Sequence, residues 1–254
     1  MQPGFRQPYL WLHIKKTAGT SLHRALGHHY WSPPEPQGWK GVYVPSFLQV
    51  ETIYWNSVLN RFRTPLGDLM FKKMYYAKQY LYKNFDDIKS FVVVREPVDR
   101  CLSMYWYLYR EALGNSLRST PESLPAKVIR KLLRKTKTFD HVQGLERFLE
   151  TIRELRTDPW KSIHVATHSA SVWDDVTDPN GRVLVTDFIK MEHLKEGVER
   201  FFQPIAESSV EIQLEHLRAS NRNRSQDVSI VSPKAMQQIK ELFGRDFELY
   251  DSAR

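Results

Sequence analysis

Cysteine is almost absent: Cys101 is the only one in 254 residues. This excludes an intrachain disulfide framework and any metal site built on clustered cysteines, and Cys101 reads as a core residue. Long apolar runs are missing too. No segment approaches the roughly 18 apolar residues that a membrane-spanning helix needs. The N-terminus, MQPGFRQPYL, lacks the basic-then-apolar pattern of a signal peptide. The expectation is a chain that is soluble as given. Nor is there a match to the phosphate-loop pattern in which Gly-Lys-Ser/Thr closes a glycine-led loop. Histidine is missing between His29 and His141, which removes the commonest general base from that stretch.

What is present describes a folded globule. The apolar fraction of 41% and aromatic fraction of 13% suffice for one sizeable core, so the chain reads as a single domain over residues 1–254. A formal charge of +8 points to polyanionic company such as nucleotide phosphates, an acidic glycan, nucleic acid or an anionic membrane surface.

The most informative stretch is Tyr9 to Leu26, YLWLHIKKTAGTSLHRAL. Tyr9, Leu10, Trp11, Leu12 and Ile14 form a strand-like run, a short polar loop follows, and Leu22, Ala25 and Leu26 then fall at helical spacing. Strand, tight loop and helix together make a phosphate cradle, because backbone N–H groups at a helix start lack partners and sit at the positive end of its dipole. Ala18 and Gly19 permit close approach of an anion, Thr17, Thr20 and Ser21 add hydroxyls, and Lys15 and Lys16 add charge.

A second anchor is Ser90 to Tyr109, SFVVVREPVDRCLSMYWYLY. Phe91 to Val94 has the continuous apolar character of a parallel strand buried on both faces. Pro97 suits the first position of a helix, and Val98, Cys101, Leu102, Tyr105, Leu108 and Ala112 give that helix a core face. Arg95 offers a bidentate fork for a phosphate at the strand's end; Ser103 adds a hydroxyl two turns on, and Arg100 adds charge or a structural ion pair.

HIKKTAGTSL resembles the 5′-phosphosulfate loop of sulfotransferases that use 3′-phosphoadenosine 5′-phosphosulfate (PAPS), especially the carbohydrate-type, sulfotransferase family 2-like branch. It departs from that loop at Lys15, where proline is usual, and at Ala18, where glycine is usual. REPVDRCLSMY resembles the same family's 3′-phosphate motif. The resemblance implies an α/β, P-loop-like domain with a central parallel sheet flanked by helices. It also implies sulfuryl transfer from PAPS to a hydroxyl or amine acceptor, most readily a carbohydrate or glycoconjugate, with adenosine 3′,5′-bisphosphate as product and no requirement for a metal. Lys15, Lys16, Thr17, Ala18, Gly19, Thr20 and Ser21 would take the 5′ end of the donor, and Arg95, Ser103 and Arg100 the 3′-phosphate. SNRNRS at Ser220 to Ser225 resembles the loop that closes over the nucleotide, which makes Arg222 and Arg224 further candidates.

The remaining segments are less specific. Residues 28–60 read as loops around short strands, with Trp31, Trp39 and Trp55 as candidate stacking surfaces for an acceptor. Phe71 to Phe85 reads as a helix with lysines on its solvent face, and where relatives place a histidine near its start this chain has Lys72, Lys73 and Met74. A basic segment holds a short helix at Ala126 to Lys135, and Phe139 to Arg156 reads as an amphipathic helix. The candidate acceptor base is His168, with His164, His28, His29 and local carboxylates as alternatives among which the sequence does not choose. Asp178 to Gly181 signals a turn before a strand at Val183 to Ile189, followed by helices at Leu194 to Phe202 and Pro233 to Phe243.

Without disulfides, a bacterial cytoplasmic enzyme is expected ahead of a Golgi-lumenal one trimmed of its anchor. No nucleic acid is expected as partner, and oligomeric state is not legible. Two rivals remain at this stage: a P-loop nucleotide kinase or phosphotransferase, and a non-catalytic basic module that binds polyanions through Lys127 to Lys137.

Overall fold

The computed structural model describes residues 6, 9–19, 21–22, 41–43, 54–56, 61–62, 72–82, 84–118, 140–158, 163–207 and 228–253. They fall into two compact units: Met1–Pro97, Ala170–Ser220 and Phe243–Arg254 in the first, Val98–Ser169 and Asn221–Leu242 in the second.

The first unit is built on a parallel sheet. Its strands are β1 (Tyr9–Leu12), β5 (Lys89–Val94) and β6 (Asp187–Lys190), in the order β1-β5-β6. Leu12 pairs with Val92 and Val94 with Lys190, so all three strands run the same way. Parallel strands are covered on both faces, and the pleat sorts alternate residues between the two covers. Tyr9, Trp11, Phe91, Val93 and Ile189 enter one core with Leu194, Val198, Phe201 and Phe202. Leu10, Leu12, Val92 and Val94 enter the other with Met74, Val172, Val176 and Leu249. Each such side chain taken fully out of water contributes about 1.5–3 kcal/mol. A separate antiparallel sheet joins β2 (Gly41–Tyr43), β3 (Tyr54–Asn56) and β4 (Arg61–Phe62).

Two segments of the first unit differ from the sequence expectation. The helix expected over Phe71 to Phe85 is α1 (Lys73–Tyr76), one turn long, running into a π-helical turn, Ala77–Leu81, where Tyr82 N–H reaches back to Ala77 O at 3.0 Å. Lys73 is not on a solvent face: it is buried in an ion pair with Asp175 of α5 (Val172–Val176). The strand expected from Val183 starts only at Asp187, because Val183 and Leu184 turn back to pair with Thr177 and Val176 around the Asp178 turn. That turn is fixed by the Asp178 carboxylate, which accepts from the N–H groups of Asn180 and Arg182, both at 2.9 Å. α6 (Leu194–Phe202) has the expected bounds, and Gly197 lets it approach β6, since a Cβ there would overlap Ile189.

The second unit is helical. α2 (Pro97–Arg118) begins at the expected proline and buries Cys101, Leu102, Tyr105 and Leu108, while α3 (His141–Thr157) buries Leu145, Leu149, Ile152 and Leu155. Asp140 caps α3 through the N–H groups of Val142 and Gln143. The short α4 is Ile163–His168. α7 (Pro233–Ser252) does not stop at Phe243 as expected; it bends there, at φ −128 and ψ 21, and its two halves belong to different units. Ser232 caps it, taking the N–H of Ala235 at 3.0 Å, with Pro233 at the first helical position. Arg153 and Arg156 of α3 bind Glu241 and the Leu242 carbonyl, each at 2.5 Å.

Candidate active site

In the parallel sheet, the loop after β1 and the arginine after β5 leave from the same C-terminal edge, the edge where open α/β sheets bind ligands. The loop from Lys15 to Ala18 is tightly wound. Lys16 and Ala18 have φ of 68 and 61, left-handed values that a side chain makes unfavourable. Backbone of this kind turns successive N–H groups toward one point and makes an anion-binding concavity. Several contacts hold it so. Thr17, almost fully buried, donates its hydroxyl to Ile14 O at 2.8 Å, and Leu22 N–H reaches Ala18 O at 3.0 Å, starting a helical turn. Lys15 is buried; Lys16 and Ser21 are half-buried.

Arg95 is joined to this loop. Its Nη1 donates to the carbonyl of Lys16 at 3.5 Å, a long bond that ties the two sequence motifs across 79 residues. Gly19 is closely approached: a Cβ there would overlap Nε2, Cδ2 and Cε1 of His13, so any side chain at this position requires the imidazole to move.

The other candidates lie in the second unit or beyond the described residues. Arg100 is 2% exposed and Ser103 half-buried, and their i, i+3 spacing on α2 puts them on one helix face. His168 ends α4; it is 4% exposed and its ring stacks on Tyr107, with centroids 5.1 Å apart. His164 lies in α4 as well. Thr20, His28, His29, Trp31, Trp39, Lys127 to Lys137, Arg222 and Arg224 lie outside the described residues, and Trp55 is described only as backbone of β3. Among the described residues no group of three or more His, Cys, Asp or Glu side chains is placed to hold a metal ion, and no helix is long and apolar enough to cross a membrane.

Sequence reasoning missed the ring of His13 on Gly19 and the pairing of Lys73 with Asp175. A histidine at a strand end was a signal for the first. The second joins residues 102 apart and left none.

A parallel α/β sheet with a tightly wound, left-handed loop after β1 and an arginine after β5 is the arrangement of a P-loop-like α/β fold. The family model described as "Sulfotransferase family" matches residues 6–252, and the chain belongs to that family. It is accordingly a transferase of the sulfuryl-transfer type. Neither the curated proteins nor the solved structures contain a match.

Proposed function

We propose that the chain, as one sulfotransferase domain over residues 1–254, transfers a sulfuryl group from PAPS to a hydroxyl of a carbohydrate or glycoconjugate. The observation that supports this most is the link between Arg95 and the left-handed loop at Lys16, because a donor with phosphates at both its 5′ and 3′ ends needs two cation sites at one sheet edge. The left-handed loop with Lys15, Lys16, Thr17 and Ser21, joined by Arg95, fits the phosphates of such a donor; on this reading Thr20 would add to the 5′ end, Ser103 and Arg100 to the 3′-phosphate, and Arg222 and Arg224 are further candidates.

In the reaction the bond from sulfur to the bridging phosphate oxygen breaks as the bond from sulfur to the acceptor oxygen forms. Lys16 and the loop amides stabilise the charge that collects on the departing oxygen, the largest contribution a fixed polar site makes. The acceptor proton goes to a base, for which His168 is the candidate. Adenosine 3′,5′-bisphosphate leaves. Positioning does most of the rest, as in phosphoryl transfer. The carbohydrate class rests on the likeness of the loop to the carbohydrate-type branch and on the net charge of +8.

Calorimetric titration with adenosine 3′,5′-bisphosphate, 5′-AMP and ATP with magnesium tests the reading. A clear preference for the bisphosphate is expected. Equal binding of bisphosphate and 5′-AMP would remove the 3′-phosphate site, and magnesium-dependent ATP turnover would put a kinase in its place.

A further inference from the structure

We infer that His13 is a positioning residue of the anion loop, its imidazole serving as the wedge that fixes Gly19, and through it the loop N–H groups, against the donor. The inference rests on the proposed use of this loop. His13 leaves β1 one residue beyond its end, and its ring lies 5.3 Å from that of Trp11, tilted by 32°. Trp11 is buried and stacks on Phe91 of β5 at 9° and 6.3 Å, so the surface behind the imidazole is rigid core. In front of the imidazole is Gly19, where the ring occupies the space a Cβ would take.

The ring therefore bridges the two ends of the loop. Between them lie the left-handed residues Lys16 and Ala18, a conformation that persists only when its surroundings over-determine it. The Thr17 hydroxyl on Ile14 O braces the interior of the loop, and the His13 ring braces its exit. Gly19 opens the helical turn that follows, so its N–H is among the groups without an intrahelical acceptor. A shift of the ring moves that donor, and a misplacement on the order of 1 Å in a site of this kind costs about 100-fold.

A size swap tests the wedge. His13→Ala should weaken adenosine 3′,5′-bisphosphate binding about tenfold and lower kcat/KM by up to about 100-fold, with kcat falling too because the displaced loop N–H groups also face the departing oxygen. Gly19→Ala, whose methyl expels the ring, should do the same. The double variant His13→Ala/Gly19→Ala should bind better than either single variant, because the methyl enters the emptied space. Losses that add in the double variant, or a His13→Ala protein that binds as the wild type does, would overturn the wedge. A wild-type protein with no preference for the bisphosphate over 5′-AMP would instead overturn the functional reading. The wedge is then judged by thermal midpoints alone: recovery in the double variant of the loss caused by Gly19→Ala upholds it, and no recovery overturns it.

Discussion

Nη1 of Arg95 donates to the backbone carbonyl of Lys16 at 3.5 Å. This one relationship joins the end of β5 to the loop after β1, at the left-handed residue Lys16.

If the loop amides and the Lys16 ammonium share the leaving-group charge, Lys16→Ala should lower kcat by about 100-fold to 1,000-fold, the range seen when one fixed donor is removed from a charge-stabilising site. Bisphosphate binding should survive in part. Single-turnover measurement of product formation checks this, and unchanged kcat would exclude Lys16 from the reaction.

If Arg95 holds the 3′-phosphate, its guanidinium can do what an ammonium cannot, making a bidentate phosphate contact while reaching Lys16 O. Arg95→Lys is therefore expected to lose at least about tenfold in bisphosphate affinity, about 1.4 kcal/mol, with 5′-AMP affinity changed much less. Parallel calorimetric titrations separate the two ligands, and equal losses for both would point to a general loop effect.

At Ala18 a φ of 61 tolerates alanine and glycine but not a β-branched side chain. Ala18→Val should cost about 2 kcal/mol in denaturant unfolding and weaken bisphosphate binding, whereas Ala18→Gly should retain both. Wild-type behaviour of the valine variant would mean that the loop is not held left-handed in solution.

Removing one member of the buried Lys73–Asp175 pair strands the other charge. Asp175→Ala should destabilise by roughly 3–5 kcal/mol, and Lys73→Met combined with Asp175→Leu should recover most of the loss, because apolar pairs of similar volume replace buried ion pairs at little cost. Urea denaturation midpoints of the three proteins decide it.

The cap of α7 makes stability depend on pH. The Ser232 hydroxyl, at 2.6 Å, and then Lys234 hold the Glu146 carboxyl below its ordinary range, while Glu150 and Glu146 raise Lys234 above the ordinary lysine value. A depressed carboxyl contributes stability above its unfolded value and loses it as pH falls through the folded one. The raised lysine contributes below its unfolded value and loses it as pH rises through the folded one. Ser232→Ala should accordingly be less stable than wild type near neutrality, with the part of the gap due to Glu146 closing in acid. A gap that did not narrow on acidification would assign the effect to the Ala235 cap alone.

The sequence by itself determined the elements whose causes are local. Tyr9–Leu12 and Phe91–Val94 read as buried strands from unbroken apolar runs, Pro97 and Pro233 marked helix starts, and the two segments that resemble the family's donor motifs were visible from their residues. Tertiary structure decided what depends on partners distant in the chain. Lys73 reads as a surface lysine until Asp175 is packed against it. α7 runs past Phe243 to Ser252, its second half carrying buried Leu249 and the Asp246 carboxylate, which takes the Ser171 hydroxyl at 2.7 Å and the N–H groups of Val172 and Trp173. Val183 leaves the sheet because a turn offers its backbone a nearer partner. At the site, the pattern of residues suggested the chemistry, but the left-handed Lys16, its carbonyl on Arg95 and the His13 ring on Gly19 exist only once the strands are paired, because each is set by a neighbour that folding brings to the same edge.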